Sequence, residues 1–175
     1  MNMTLPEQKA KNGLELRDSR DLLEKLDWEL RNLDFRQPYD IAVCQYHVFN
    51  CAVTAWTVTD WLWKDISPEL REKLKDKNGK PLKERKDFRG YVSAACPALE
   101  LCRQIANGSK HGQFERNISA VISDSEGYDY GNPIIMEGDT QHRADKVFYD
   151  ALKWFEAFLR NERVFPEELF VPKGA

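Results

Sequence analysis

Apolar residues recur at helical spacing over much of the chain. Between Leu14 and Phe35, Leu16, Leu23, Leu26, Leu30 and Leu33 share one face and Arg, Asp and Glu the other. That pattern predicts an amphipathic helix, and Gln37-Pro38 ends it. A second helix is expected from about Tyr39 to Asp65. Its first 19 residues after Asp40, Ile41–Thr59, contain no Asp, Glu, Lys or Arg. A bilayer span needs about 20 apolar residues, but Gln45, His47, Asn50 and three Thr interrupt this run. A central helix wrapped by its neighbours is therefore expected.

Ser67-Pro68-Glu69 reads as a helix start, with Ser as N-cap and Pro in the first turn. A short helix is expected to about Asp76, then a turn at Asn78-Gly79. Another helix begins near Leu82 and is divided by Pro97, which removes a backbone donor and crowds the preceding turn. Its second part ends at Gly112, a suitable C-cap. From Phe114 to Ser123 the period changes to two, apart from Val121, which predicts a strand. Ile134-Ile135-Met136 supplies a partner, giving a β-hairpin. A last helix is expected from about Gln141 to Arg163, with Ala144, Phe148, Ala151, Leu152, Phe155, Phe158 and Leu159 on its apolar face.

The expected fold is mainly α: a bundle of about four long helices with a small β-hairpin before the last one. Its 175 residues suit a single domain at 13–175, with the hairpin inserted at about 114–137 and a loose segment at 1–12. The 42% hydrophobic content excludes a fully disordered chain. Met1–Ala10 has no apolar h-region, so no secretory signal is expected and a cytoplasmic location is. Cys44, Cys51, Cys96 and Cys102 form no Cys-x-x-Cys pair and read as small buried hydrophobes, not zinc ligands. No metal or other cofactor is expected, and no phosphate loop, His-Glu-x-x-His or Gly-x-Ser-x-Gly motif occurs.

Three features could carry function. Asp60 shares a face of the central helix with Phe49, Val53, Trp56 and Trp63. A carboxylate there needs a partner, either a neighbouring helix or a His or Lys that it orients. Secondly, Arg103, Asn107, Lys110 and His111 fall within an arc of about 100° on one helix. An imidazole beside cations suits metal-independent RNA cleavage: a base takes the 2′-OH proton and the cations stabilise the charged phosphorane. A wet helix face shows the same grouping. Thirdly, Arg71–Arg89 holds nine Lys and Arg against four acids, a local charge of +5 in a chain of net −3. Lys83, Arg85, Lys86 and Arg89 in this run are candidates for binding a polyanion, with a solvated helix-loop-helix as the plainer alternative. His47 is expected in the core or at an interface, and His142 on the surface at the start of the last helix.

Thr54-Ala-Trp-Thr-Val-Thr-Asp60-Trp-Leu-Trp63, Ile105-Ala-Asn107-Gly-Ser-Lys110-His111 and Trp154-Phe155 together resemble a group of uncharacterised bacterial helical proteins. In that group an aromatic-rich helix ends in Asp-Trp, the next ends in Ala-Asn-x-x-Lys-His, and a hairpin and a Trp-Phe helix follow. The resemblance covers about residues 38–160. More remotely, the bundle and the polar helix end are similar to the HEPN superfamily. Many HEPN members are toxin or phage-defence ribonucleases, often dimeric, with sites formed across the dimer. Their pattern runs Arg, a polar residue, about three variable residues, then His. Asn107–His111 fits its second half, Ala106 stands at the Arg position, and Arg103 falls earlier than the usual spacing.

A non-catalytic interaction or regulatory module is the first expectation, with RNA or a partner protein as its target and a homodimer as the resemblance implies. A metal-independent ribonuclease is the second. There His111 would be base or acid, Lys110 and Arg103 would bind phosphate, and Asn107 and Asp60 would orient. A small-ligand binder using an aromatic pocket at Trp56 and Trp63 is the third.

Overall fold

The computed structural model describes residues 16–32, 41–111, 120–123 and 133–166. The expected mainly helical fold is present, with a small antiparallel sheet before the last helix. Helix α1 spans Ser19–Arg31 and starts at Asp18, whose carboxylate accepts from the backbone N–H groups of Arg20 and Asp21. Its apolar stripe, Leu22, Leu23 and Leu26, is buried. Helix α2, Ile41–Asp65, is the central element. Ser19 N donates to Asp65 Oδ2 at 2.8 Å and Lys25 Nζ to Thr54 Oγ1 at 2.7 Å, so α1 and α2 run antiparallel. Burial pushes the Asp65 carboxyl above its ordinary value, against the hydrogen bond from Ser19.

Helix α3, Pro68–Lys73, starts where the Ser-Pro signal places it, with Leu70 N donating to Ser67 Oγ at 3.2 Å. It stops three residues before the expected Asp76, because Lys75 pairs with Pro81 across a tight loop. Asp76 holds that loop: its Oδ1 accepts from Asn78 N and Lys80 N, both at 2.8 Å. Gly79 takes φ +76°, which a side chain would resist. Helix α4 is Arg85–Ala95 and α5 is Pro97–His111, divided at Pro97 as the missing donor requires.

Strand β1 is Ala120–Ser123, the described part of the expected 114–123 strand, and it pairs antiparallel with β2, Ile134–Glu137. The hairpin expectation is incomplete. A third strand, β3, Thr140–Arg143, pairs with β2, and helix α6 begins only at Ala144 and runs to Asn161. Gly138, at φ +58°, makes the two-residue turn that returns the chain. His142 accordingly sits on β3, half-buried, with Nε2 3.2 Å from Glu137 Oε2.

The core gathers around α2, which packs against α1, α4, α5 and α6. Ala52 and Ala55 let neighbours approach closely, and Phe148, Phe155 and Leu159 of α6 are buried as their stripe predicts. At one end an aromatic group joins α2, α4 and α6: the Phe88 ring lies 5.7 Å from Trp63, 6.0 Å from Phe158 and 6.1 Å from Tyr91. No helix among the described residues is long and apolar enough to cross a membrane. The charge-free run of α2 is wrapped in its later part only. Tyr46, His47 and Asn50 are exposed, so of the two positions expected for His47, core or interface, the core is excluded.

Candidate functional site

Asp60 sits in the last turns of α2, on the stripe that carries Trp56 and Trp63. Its partner comes from α4. Arg89 donates from Nε to Oδ1 at 2.7 Å and from Nη2 to Oδ2 at 2.6 Å, a two-pronged bond that fixes the carboxylate plane. Arg85 Nη1 stands 3.9 Å from the same Oδ2. The Arg89 guanidinium also lies 5.9 Å above the Trp56 ring centroid, so the indole covers one face of the cation. About two helical turns on, the motif repeats without the acid: Arg71 stacks 4.2 Å from the Trp63 ring and donates from Nη2 to Trp63 O at 2.6 Å. Trp56 and Trp63 are 5% and 9% exposed. Phe88, Arg71 and Arg89 lie against these rings, where an aromatic ligand pocket was expected.

Arg103 does not join Asp60 in an ion pair. It pairs with Glu100, one turn back on α5, through Nε at 2.8 Å and Nη2 at 2.6 Å, and Gln104 Nε2 adds a bond at 3.2 Å. Burial pushes the Glu100 carboxyl up, but these donors more than offset it and hold it below its ordinary range. Asn107 is half-buried on the same helix, and Ala106 beside it is 2% exposed, inside the core. Lys110 and His111 belong to the last turn of α5, and their side chains lie outside the described residues. Two partnerships are seen among the described side chains of the expected grouping. Asp60 meets Arg89 and Arg85, two of the candidate binding cations, while Arg103 meets Glu100.

Arg89 was legible as a basic residue but not as the partner of Asp60. Twenty-nine positions separate them, and no local spacing links such a pair. Arg71 was read only as part of a charge run. The signal available for both was the Trp56–Asp60–Trp63 stripe, which offers flat aromatic faces and one acid to a planar cation.

The remaining candidates of the basic run are exposed. Lys83 and Lys86 flank the start of α4, where Asp87 Oδ2 accepts from Lys83 N at 3.0 Å and Glu84 N at 3.2 Å. No group of three metal-binding side chains occurs among the described residues.

Of the cysteines, Cys51, Cys96 and Cys102 are buried and Cys44 is half-buried. Burial, with the Glu29 charge adding to it, pushes the Cys51 thiol up to about 12, and burial raises those of Cys96 and Cys102 as well. Thiolate is the reactive form. Titration of the native protein with an aromatic disulfide near pH 8 is therefore expected to modify Cys44 first, the other three reacting only after unfolding. Equal rates at all four would contradict this packing.

No protein-family model matches the chain, and neither the curated proteins nor the solved structures include a significant match.

Proposed function

We propose that the protein is a non-catalytic interaction module, a HEPN-like cytoplasmic bundle that binds a partner rather than cutting one. The observation carrying this reading is the engagement of Asp60. Both of its oxygens accept from Arg89, so the carboxylate that a ribonuclease would use to orient its histidine is committed to holding α4 on α2. Ala106 adds support. It occupies the position at which the HEPN pattern carries Arg, and it is buried in the core, where an arginine would require a paired or solvated head group. Arg103, the other candidate for phosphate, has its guanidinium on Glu100.

The test is incubation of purified protein with single-stranded and structured RNA in the presence of a chelator. Intact RNA is the expected result, with no difference between the protein and His111→Ala. Cleavage that His111→Ala abolishes, with the helical circular dichroism unchanged, would replace this reading by the ribonuclease one.

A further inference from the structure

Charge pairing is not uniform over the surface. Among the described lysines outside the basic run, Lys25 meets Glu29, Lys146 meets Asp150 at 3.0 Å and Lys153 meets Glu156 at 2.7 Å, whereas Lys64 lies 5.5 Å from the Trp61 ring. Lys73, Lys75, Lys77, Lys80, Lys83 and Lys86 are all exposed, and among the described residues none of them forms an ion pair within 4 Å. Several nearby acids have other partners. Asp76 turns its carboxylate onto the loop backbone, Asp87 onto the backbone at the start of α4, and Asp60 onto Arg89. Glu72 and Glu84 remain exposed, and they are outnumbered. These acids keep their charge but are not ion-paired with the lysines, which outnumber them, so the segment carries a net positive charge.

The surroundings of these lysines select the kind of polyanion. A protein partner is held by aromatic or aliphatic anchors at the centre of its interface. An anionic membrane surface also attracts lysines, but stable attachment adds inserted apolar side chains or a lipid anchor. A single strand needs exposed rings on which bases stack. The large hydrophobics exposed among the described residues are Trp28 on α1, Tyr46 on α2 and Tyr149 on α6, none of them in this segment. Its aromatic neighbours Trp63 and Phe88 are buried. Lysines alone, with neither anchor nor ring, fit a backbone of regularly spaced phosphates whose bases are already stacked and paired.

We propose that the α3–α4 segment, Lys73–Lys86, is a sequence-independent grip for the phosphate backbone of a duplex nucleic acid. This names the partner of the interaction module and rests on that reading. Binding and cleavage are measured separately: cleavage would overturn the module reading, whereas failure to bind would overturn only the grip.

The experiment is fluorescence anisotropy of the full chain with labelled duplex DNA, duplex RNA, single strands and a poly-glutamate competitor. Raising salt from about 50 to about 200 mM should weaken duplex binding roughly 10²–10³-fold if about four to five phosphates are neutralised. The triple variant Lys75→Gln, Lys77→Gln, Lys80→Gln should lose at least about tenfold in affinity and flatten the salt slope by about two to three. Lys146→Gln with Lys153→Gln removes charge elsewhere and should leave binding unchanged. Tighter binding of one duplex identifies it as the source of the phosphates. Absence of duplex binding at low salt, equal binding of single strands, equal competition by poly-glutamate, or indifference to the triple variant would each overturn the proposal.

Discussion

Phe88→Ala is expected to destabilise the protein by about 3–5 kcal/mol, lowering Tm by roughly 6–20 °C for a chain of this size. The ring is fully buried and stands between Trp63 of α2, Phe158 of α6 and Tyr91 of its own helix. Three elements would therefore face the same void. These rings are wide and flat, so their collapse into the space is limited, and the cavity adds to the lost transfer free energy. Denaturant unfolding gives the number. Tyr149→Ala, which removes a ring of similar size that is 54% exposed, should change stability by no more than about 0.5 kcal/mol. Similar losses for both variants would mean that the aromatic group does not hold α4 in place.

Asp60→Ala is expected to cost about 1–3 kcal/mol, in the range for hydrogen bonds to charged groups and discounted because the pair is partly wet. The Asp60 and Arg89 side chains are 22% and 35% exposed. Removing the acid leaves a guanidinium against the Trp56 face with no acceptor in Asp60's place. Arg89→Lys should recover little of the loss caused by Arg89→Ala, since an ammonium cannot make two parallel bonds to one carboxylate. A double-mutant cycle on Asp60 and Arg89 should give a coupling of about 1–2 kcal/mol. Strict additivity would show that the pair contributes nothing to the fold and that the carboxylate is available for other chemistry. The same variants separate the functional readings, because a positioning acid in a ribonuclease would lower the cleavage rate without this energetic coupling.

The helices were legible because their apolar residues recur at the helical period and their ends carry local signals. Ser67 before Pro68, and Pro97 between α4 and α5, act within a turn of themselves, so a linear reading catches them. Strand β3 was not legible for the opposite reason. Thr140-Gln-His-Arg143 has no apolar alternation, and it is a strand because β2 offers it an edge with backbone groups to pair. The candidate site shows the same division. That Asp60 required a partner followed from its apolar neighbours on α2. Which partner it has depended on how α4 crosses α2, where the Phe88–Trp63 contact lies beside the ion pair. The accessibility of the early part of α2 was missed because a charge-free run looks the same whether neighbours cover all of it or only half.

The junction between the sheet and the last helix has a further consequence. Arg143 ends β3 and is also the N-cap of α6, while Ala144 N donates to Pro133 O at 3.0 Å, so no slack separates the two elements. The sheet therefore acts as a key that sets the rotational phase of the helix. One residue gained or lost at this point would turn α6 by about 100° and swing Phe148 and Phe155 from the interior toward water.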